Sequence, residues 1–425
     1  MKNIHLVGLF LLLCHTYVYA QSMEKLSLND AITIALLNNP AILKAQKEIA
    51  ASKGRALRAE AFPNLELGVQ FDGTPTNFDI TESDQINIGI TQSFEFPGKR
   101  ETRGNIARVE TQITEENLTR IQELTGAEVK RAYYQAVLNQ KLVSNIEVII
   151  DLLRQFQEIA TIRYQNRSVP FLEVLRAKIE LAKANNQHAE IQRALQNNVS
   201  NLNNVLGRPG TTPIILSDDL EYTPFEKTLE ETIAELLPKR SSLRIADKSL
   251  LRSEFAVSLA KKSFLPDFSL GLFHQSVKGQ PPFNDNEFTG TSVNSWGIDL
   301  SLSIPLWFSS GPQGEVDEAD ANIQVARIQR EAIERTVRTS IQIAFHTVKT
   351  AEAQVNVFKE SLLQDIEDEL QSGITLYRNN QIDALNLSEI YKTYTETKAE
   401  YYRALHTFNL ALTDLEVAGE EFINP

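Results

Sequence analysis

Residues 61–71 read Ala-Phe-Pro-Asn-Leu-Glu-Leu-Gly-Val-Gln-Phe, and residues 264–273 read Phe-Leu-Pro-Asp-Phe-Ser-Leu-Gly-Leu-Phe. In both stretches a glycine stands five residues after the proline, so that Pro63 corresponds to Pro266. Each stretch follows a helical pattern and then alternates apolar and polar residues, as a strand does. The chain is therefore predicted to contain two copies of one module, each ordered helix, two strands, long helix and helix.

The ends of the two copies also correspond to each other. The run Leu-Asn-Asn-Val-Leu-Gly ending at Gly207 matches the run Leu-Glu-Val-Ala-Gly ending at Gly419. We predict a first repeat over residues 21–210 and a second repeat over residues 211–425.

Residues 1–20 have the features of a cleaved secretory signal. Lys2 supplies the positive start, an apolar run follows, and Ala20 closes a segment of small or tolerated residues. Lipidation at Cys14 is disfavoured, because Leu13 stands where a small residue is needed. The sequence therefore predicts an exported protein.

Composition and residue spacing exclude several classes of protein. A net charge of −13 argues against nucleic-acid binding. Cys14 is the only cysteine, so a mature chain has no disulfide and no thiolate metal site. The remaining histidines, His188, His274, His346 and His406, are scattered without metal or catalytic-triad spacing. We expect neither an enzyme nor a cofactor or metal site.

Four strands of about ten residues are predicted, over residues 64–73, 85–96, 266–276 and 294–305. This is the length that a tilted outer-membrane strand needs, although a soluble hairpin can show the same alternation. Outside the signal, no segment reaches the ~18 apolar residues of a spanning helix. If the exported chain crosses a membrane, we expect it to do so with strands.

Two very long helices are predicted over residues 99–164 and 313–377. Each has about 65 residues and would extend roughly 100 Å, which is too long for a compact domain. Tight turns are predicted at 165–169 and 379–382, after which a shorter helix runs back with apolar residues in heptads. The pattern indicates long antiparallel coiled coils.

The strand count has a consequence for assembly. Four strands cannot close a barrel, and an open sheet edge cannot face lipid. If the strands insert, several chains must share one barrel. Two chains would give eight strands, whose interior fills with side chains, and three would give twelve.

The ordered set of elements resembles the TolC family of outer-membrane efflux channels, over essentially the whole mature chain. The resemblance rests on the duplicated order, the Phe-Pro-Asn and Leu-Pro-Asp steps, and the helix tips that begin at Tyr164 and Tyr377. The run Phe-Glu-Phe-Pro-Gly-Lys-Arg at residues 94–100 further resembles the branch that serves cobalt-zinc-cadmium-type pumps.

The resemblance implies a mainly α fold with a small β part. It implies a homotrimer with a shared twelve-stranded barrel in the outer membrane of a Gram-negative bacterium, above a periplasmic α-barrel of long antiparallel helices. Substrates would come from an inner-membrane pump through a periplasmic adaptor, and the chain would do no chemistry. The alternative is a non-conducting coiled-coil tether of the envelope, which would not need four alternating strands.

The resemblance also implies a gate and adaptor contacts at the two tips. The candidate residues are Tyr164, Arg167, Glu173, Tyr377, Arg378, Asp383 and Glu389, with Arg163 as a further contact. The acidic residues could equally be solvated acids at helix starts. Family tips usually carry glycine where Asn166 and Asn380 or their neighbours stand, and asparagine tolerates the left-handed turn.

Aromatic residues cluster at the predicted strand ends, as in a membrane-interface girdle. The candidates are Phe71, Phe94, Phe96, Trp296, Trp307 and Phe308. The alternative is that they only pack the hairpins together.

Overall fold

The protein was analysed as a computed structural model that describes residues 24–76, 78–278 and 292–420. The predicted signal, with Cys14, lies outside these residues, as does most of the loop after the third predicted strand. The described chain is mainly helical, with one four-stranded sheet and one two-stranded sheet.

In each half of the described chain, shorter helices lead into a β-hairpin and then into long helices. The first half comprises β1 (Glu24–Leu26), α1 (Leu28–Asn38), α2 (Pro40–Glu60), β2 (Glu66–Asp72), β3 (Gln85–Phe94), α3 (Lys99–Gln165) and α4 (Phe171–Val205). The second comprises β4 (Ile214–Leu216), α5 (Leu229–Leu236), α6 (Ser241–Lys261), β5 (Asp267–Val277), β6 (Val293–Ser303), α7 (Gly311–Val357), α8 (Leu363–Arg378) and α9 (Ala384–Glu416).

The four hairpin strands form one antiparallel sheet in the order β2-β3-β5-β6. The two hairpins therefore join through β3 and β5, from Gln85 opposite Val277 to Phe94 opposite Phe268. Strands β2 and β6 are left as the open edges of the sheet.

Helix α3 runs without interruption from Lys99 to Gln165. The second long helix does not, because a π-helical segment at Phe358–Leu362 separates α7 from α8. The sequence pattern predicted one regular helix there. The chain passes through both segments without a turn, so the overall extent resembles the predicted one.

The hydrophobic core is elongated and lies between the helices rather than at one centre. One cluster joins α1, α3, α7 and α9 around Tyr133, Ile341 and Phe408. A second cluster lies towards the helix tips, around Phe156 and Tyr377. The short β1 pairs in parallel with β4, and the Tyr133 hydroxyl donates to the Leu26 carbonyl at 2.9 Å. This arrangement connects the start of the described chain to the segment between α4 and α5.

None of the helices in the described part of the chain combines the length and the apolar character needed to span a bilayer.

Candidate functional site

Helices α3 and α4 form the first helical hairpin, and the turn that joins them is a Schellman turn. The Ser168 amide donates to the Arg163 carbonyl and the Arg167 amide donates to the Tyr164 carbonyl, both at 2.9 Å. Arg167 adopts a left-handed conformation with φ 57°, whereas Asn166 has φ −79°. The left-handed residue of this turn is therefore the neighbour of Asn166, and it is an arginine where glycine is usual.

Helices α8 and α9 form the second helical hairpin, and the turn between them has the same geometry. The Gln381 amide donates to the Leu376 carbonyl at 2.8 Å, and the Asn380 amide donates to the Tyr377 carbonyl at 3.1 Å. Asn380 is left-handed, with φ 61°. Asparagine is better suited than arginine to this conformation, because its short polar side chain bonds locally.

Three side chains meet between the two hairpins, and we call Arg163, Glu173 and Tyr377 the tip cluster. The Tyr377 hydroxyl donates to the Glu173 carboxylate at 3.2 Å. The Arg163 guanidinium lies 4.6 Å from the centre of the Tyr377 ring and donates to the Tyr377 carbonyl at 3.4 Å. Phe156 packs edge-on against the same ring at 5.2 Å. The cluster therefore joins α3 and α4 to the end of α8.

Tyr377 is only 1% exposed. Burial, reinforced by the nearby Glu173 carboxylate, raises the pKa of the Tyr377 hydroxyl to about 12. The hydroxyl thus stays protonated at physiological pH and can donate to Glu173. Arg163 Nε is buried with no acceptor among the described residues, so the tip cluster contains an unsatisfied donor.

The other predicted tip residues do not join this cluster. Tyr164 is 44% exposed and packs on Phe171 at 5.4 Å. Asp383 caps the start of α9, where its carboxylate accepts from the Asn386 amide at 2.9 Å. Such a cap is a structural role that the residue type alone explains.

The remaining charged candidates lie at the surface. Glu389 is exposed and 3.8 Å from Lys392, and such exposed pairs contribute little to stability. Arg167 and Arg378 are also exposed. The side chains of these residues are accessible to solvent.

The difference between Tyr164 and Tyr377 follows from the heptads. In α3 the buried series Phe156, Ala160 continues to Arg163, so Tyr164 falls beside the seam. In α8 the buried series Gly373, Tyr377 puts the tyrosine on the seam. Matching the two tips in sequence does not reveal this difference in burial, but the heptad phase of each helix does.

A second candidate site is one face of the sheet. Residues that pair directly across neighbouring strands lie on the same face of the sheet. The register of the four strands puts their apolar residues on one face, which we call the apolar sheet face. Its exposed members are Leu67, Val69, Phe71, Ile88, Ile90, Phe268, Leu270, Leu272, Trp296, Ile298, Leu300 and Leu302. The opposite face carries Glu66, Gln70, Asn87, Thr91, Ser269, Asp299 and Ser301. An exposed apolar area of this extent indicates a membrane or protein partner.

The predicted aromatic residues lie at two levels of this sheet. Phe71 and Trp296 lie near the loop ends of their strands, with Trp296 4.9 Å from His274. At the helix end, Phe94 stacks on Phe268 at 5.3 Å.

Three further aromatic candidates follow the strands at the helix end. The amide of Phe96, which is half-buried, donates to the Asp267 carboxylate at 2.7 Å. Trp307 and Phe308 are exposed just after β6.

Comparisons with known proteins give relatives along nearly the whole chain. Residues 31–208 match the family described as outer membrane efflux protein. The chain is 21% identical to the cobalt-zinc-cadmium resistance protein CzcC of Cupriavidus metallidurans, over 93% of this chain and 90% of the relative. It is 20% identical to the outer membrane protein TolC of Salmonella enteritidis, over 90% of this chain and 80% of the relative.

Solved structures with the same fold include CusC, with a TM-score of 0.74 and 16% identity over 92% of each chain. The MtrE outer membrane channel of Neisseria gonorrhoeae has a TM-score of 0.70 and 16% identity, over 92% of this chain and 88% of that one. The family match over residues 31–208 and these relatives agree with each other, and the chain is similar to outer membrane efflux proteins and shares the fold of the solved channels.

Proposed function

We propose that this protein is the outer-membrane exit duct of a tripartite efflux system. The observation that carries the proposal is the four-stranded sheet with one exposed apolar face, one polar face and two open edges. A tether or scaffold has no use for such a sheet. A barrel wall needs all three features, because lipid meets the apolar face, water meets the polar face, and the edges pair with neighbouring chains.

The dimensions of the sheet suit a membrane. Ile86, opposite Phe71, and Phe94 are eight residues apart on β3. At about 3.4 Å per residue and a tilt of about 40°, they are separated by about 20 Å along the membrane normal. This is close to the apolar band of about 25 Å in outer-membrane barrels. The two aromatic levels then lie near the two interfaces.

Assembly follows from the open edges. Strand β6 of one chain would pair with β2 of the next, and three chains would close a twelve-stranded barrel with a water-filled interior. Two chains would give eight strands and a filled interior, which cannot conduct. We therefore propose a homotrimer.

The helices extend the duct on the periplasmic side. The matching order of α2 to α4 and α6 to α9 supports an internal duplication, with repeats over residues 21–210 and 211–425. With 67 residues, α3 is about 100 Å long, enough to cover much of the periplasm. We propose that residues 1–20 direct export of the chain and are then removed.

The tips would close the periplasmic end and meet an adaptor. The tip cluster is the proposed gate contact, because it links the two helical hairpins of one chain at the end distant from the sheet. Exposed Arg167, Arg378 and Glu389 are the proposed adaptor contacts. Because one relative is named a cobalt-zinc-cadmium resistance protein and another a solvent efflux pump protein, divalent cations and apolar solvents are the two substrate classes to test.

The test is envelope fractionation with cross-linking, followed by sensitivity of a deletion strain. A heat-sensitive trimer in the outer membrane, and sensitisation to metals or solvents in a host without redundant channels, would support the proposal. A soluble periplasmic monomer, or unchanged tolerance to metals, solvents, dyes and detergents, would contradict it.

A further inference from the structure

Arginine side chains gather where the helices meet the sheet. A recess of about 410 Å³ lies between the end of α2 and the start of α3, and its charged lining comprises Arg55, Arg58, Arg103 and Glu110. A second recess of about 1030 Å³ adjoins it and extends across α2, α3, α6 and α7. Arg55 and Glu110 line both, so the two form one continuous surface that we call the arginine recess.

The charge of this recess is opposite to that of the chain. Its described lining contains five arginines, two glutamates and no lysine, whereas the whole chain has a net charge of −13. The arginines are Arg55, Arg58, Arg103, Arg120 and Arg252, and the glutamates are Glu48 and Glu110. Arginine presents a planar fork of donors that matches the geometry of an oxyanion in two-point contacts. The residue type therefore points to an anionic ligand.

Arg55 and Arg58 have no anionic partner in the part of the chain that the structure describes, and both side chains are exposed. Arg103, by contrast, donates through both terminal nitrogens to the Glu95 carboxylate, and other arginines of the recess are also bonded within the chain. Residues three apart are neighbours on a helix, so the charges of Arg55 and Arg58 repel each other. An anion bound between them would remove that repulsion.

The larger part of the recess offers apolar surface. Ile113 and Ile121 of α3, Ile245 of α6 and Ile333 of α7 lie along it. A volume of about 1030 Å³ is enough for a drug-sized molecule, because such ligands occupy pockets of about 300–1,000 Å³. A ligand that uses both parts of the recess has an anionic head and an apolar body.

The recess opens on the polar side of the sheet. Glu95 directly follows Phe94, the last residue of β3, and successive side chains of an extended strand point to opposite faces. Glu95 therefore points away from the apolar sheet face, and Arg103, which bonds it, places the recess on that same side. In the proposed barrel this side lines the water-filled interior, just beneath the strands.

We propose that the arginine recess binds amphiphilic organic anions, with the anionic head on Arg55 and Arg58 and the apolar body over the isoleucines, and that it does so inside the duct. This adds a third substrate class to divalent cations and apolar solvents. Only the place of the site in the conduction path rests on the proposed function. Three recesses in a trimer would form a positive ring, and rings of arginine favour anions in a pore.

The first test measures binding to the purified mature protein in a non-ionic detergent and needs no conduction. The probe is the fluorescent amphiphilic anion anilinonaphthalene sulfonate, titrated against wild type and against the double variant Arg55→Gln/Arg58→Gln. Wild type should show saturable binding, and the double variant should bind about tenfold more weakly because it loses both unpaired guanidinium donors. Equal affinity of the two proteins would overturn the site.

Arg176→Gln/Arg193→Gln is the matched control. Both arginines are exposed on α4 and make no ion pair within the described ranges, so the control changes the net charge by the same amount. It should bind the probe as wild type does, and the micelle background is common to all three proteins. A loss of affinity equal to that of the recess variant would show that net charge attracts the probe, and would overturn the site.

Competition on the native protein tests the ligand class, and it decides the question if the recess variant does not assemble. Octanesulfonate below its critical micelle concentration should displace the probe, whereas octyltrimethylammonium, with the same chain and a cationic head, should not. Methanesulfonate should need at least about tenfold more, because burial of as few as two methylene groups changes affinity by that factor. Equal displacement by the cationic and the anionic amphiphile would overturn the proposal.

Bilayer recording then tests the location of the recess. Octanesulfonate should lower the single-channel current of wild type, and Arg55→Gln/Arg58→Gln should need about tenfold more of it for the same effect. A protein that binds the probe through these arginines but does not conduct would contradict the duct and leave the binding site standing. A conducting protein whose current is unaffected by saturating octanesulfonate would contradict the placement of the site inside the duct.

Discussion

Replacing Tyr377 by phenylalanine tests the tip cluster with the smallest possible change. The ring keeps its contacts with Phe156 and Arg163, and only the hydroxyl that donates to Glu173 is lost. A hydrogen bond to a charged group contributes about 1.5–3 kcal/mol. Glu173 is half-buried, so water can replace part of this bond, and about 1 kcal/mol per chain is a reasonable value.

In the proposed trimer, the free energy lost with this hydrogen bond should add up over the three chains. If three chains open together, three lost bonds shift the closed-to-open equilibrium by about 3 kcal/mol, or roughly 100-fold. Single-channel recording in planar bilayers measures this shift as open probability. We expect Tyr377→Phe to spend much more time in the open state.

Tyr164→Phe is the matched control, because Tyr164 ends the corresponding helix but packs on Phe171 at the surface. Its hydroxyl makes no hydrogen bond within the described ranges, so we expect wild-type open probability. Equal behaviour of the two variants, or wild-type gating in Tyr377→Phe, would refute the assignment of the tip cluster.

Three further predictions concern other parts of the chain. Burial, together with the nearby Glu420 carboxylate, raises the pKa of Glu123, so its ionised form destabilises the fold at neutral pH, and this destabilisation disappears as the pH falls below the ordinary carboxyl range. Glu123→Gln should therefore raise the melting temperature at pH 7.5, and a difference in melting temperature from wild type that does not close towards pH 4 would contradict this. Arg167→Gly should relieve the backbone strain of the left-handed residue and raise the protection of the Ser168 amide against hydrogen exchange by up to about 1 kcal/mol, whereas Asn380→Gly should change the protection of the Gln381 amide little. Equal effects at the two turns would contradict this prediction. Leu300 is 73% exposed on the apolar sheet face, and Leu300→Arg should cost about 2–4 kcal/mol near the bilayer midplane and reduce the amount of membrane-inserted trimer seen on gels. Ser301→Arg, at the adjacent position on the polar face, is the control and should insert normally.

The sequence predicted the secondary structure well where the pattern was long. Period-2 alternation in the hairpins and period-3.6 patterning in the long helices leave little ambiguity over such lengths. The prediction of a single regular helix over residues 313–377 was wrong at Phe358–Leu362. The apolar positions Phe358 and Leu363 are five residues apart, where a heptad has steps of three or four, but this is recognised only once the helix that packs against them is known.

The tip was harder to predict because contacts between hairpins depend on helix rotation. Tyr164 and Tyr377 correspond in sequence, yet one is exposed and the other buried, since one additional residue, accommodated by the π-helical segment at Phe358–Leu362, shifts the heptad phase of α8. The local sequence identifies Glu173 only as an acidic residue near a turn. Its partner Tyr377 lies 204 residues away, and no local pattern specifies that contact.

The most direct measurement of the central claim is the conductance of the purified mature protein in a planar bilayer. The account predicts discrete, uniform conductance steps from protein that runs as a heat-sensitive trimer, and none from the same sample after heat dissociation. Trimer that is folded and inserted but gives no steps above those of lipid alone, in wild type and in Tyr377→Phe, would contradict the proposal that this chain forms a duct.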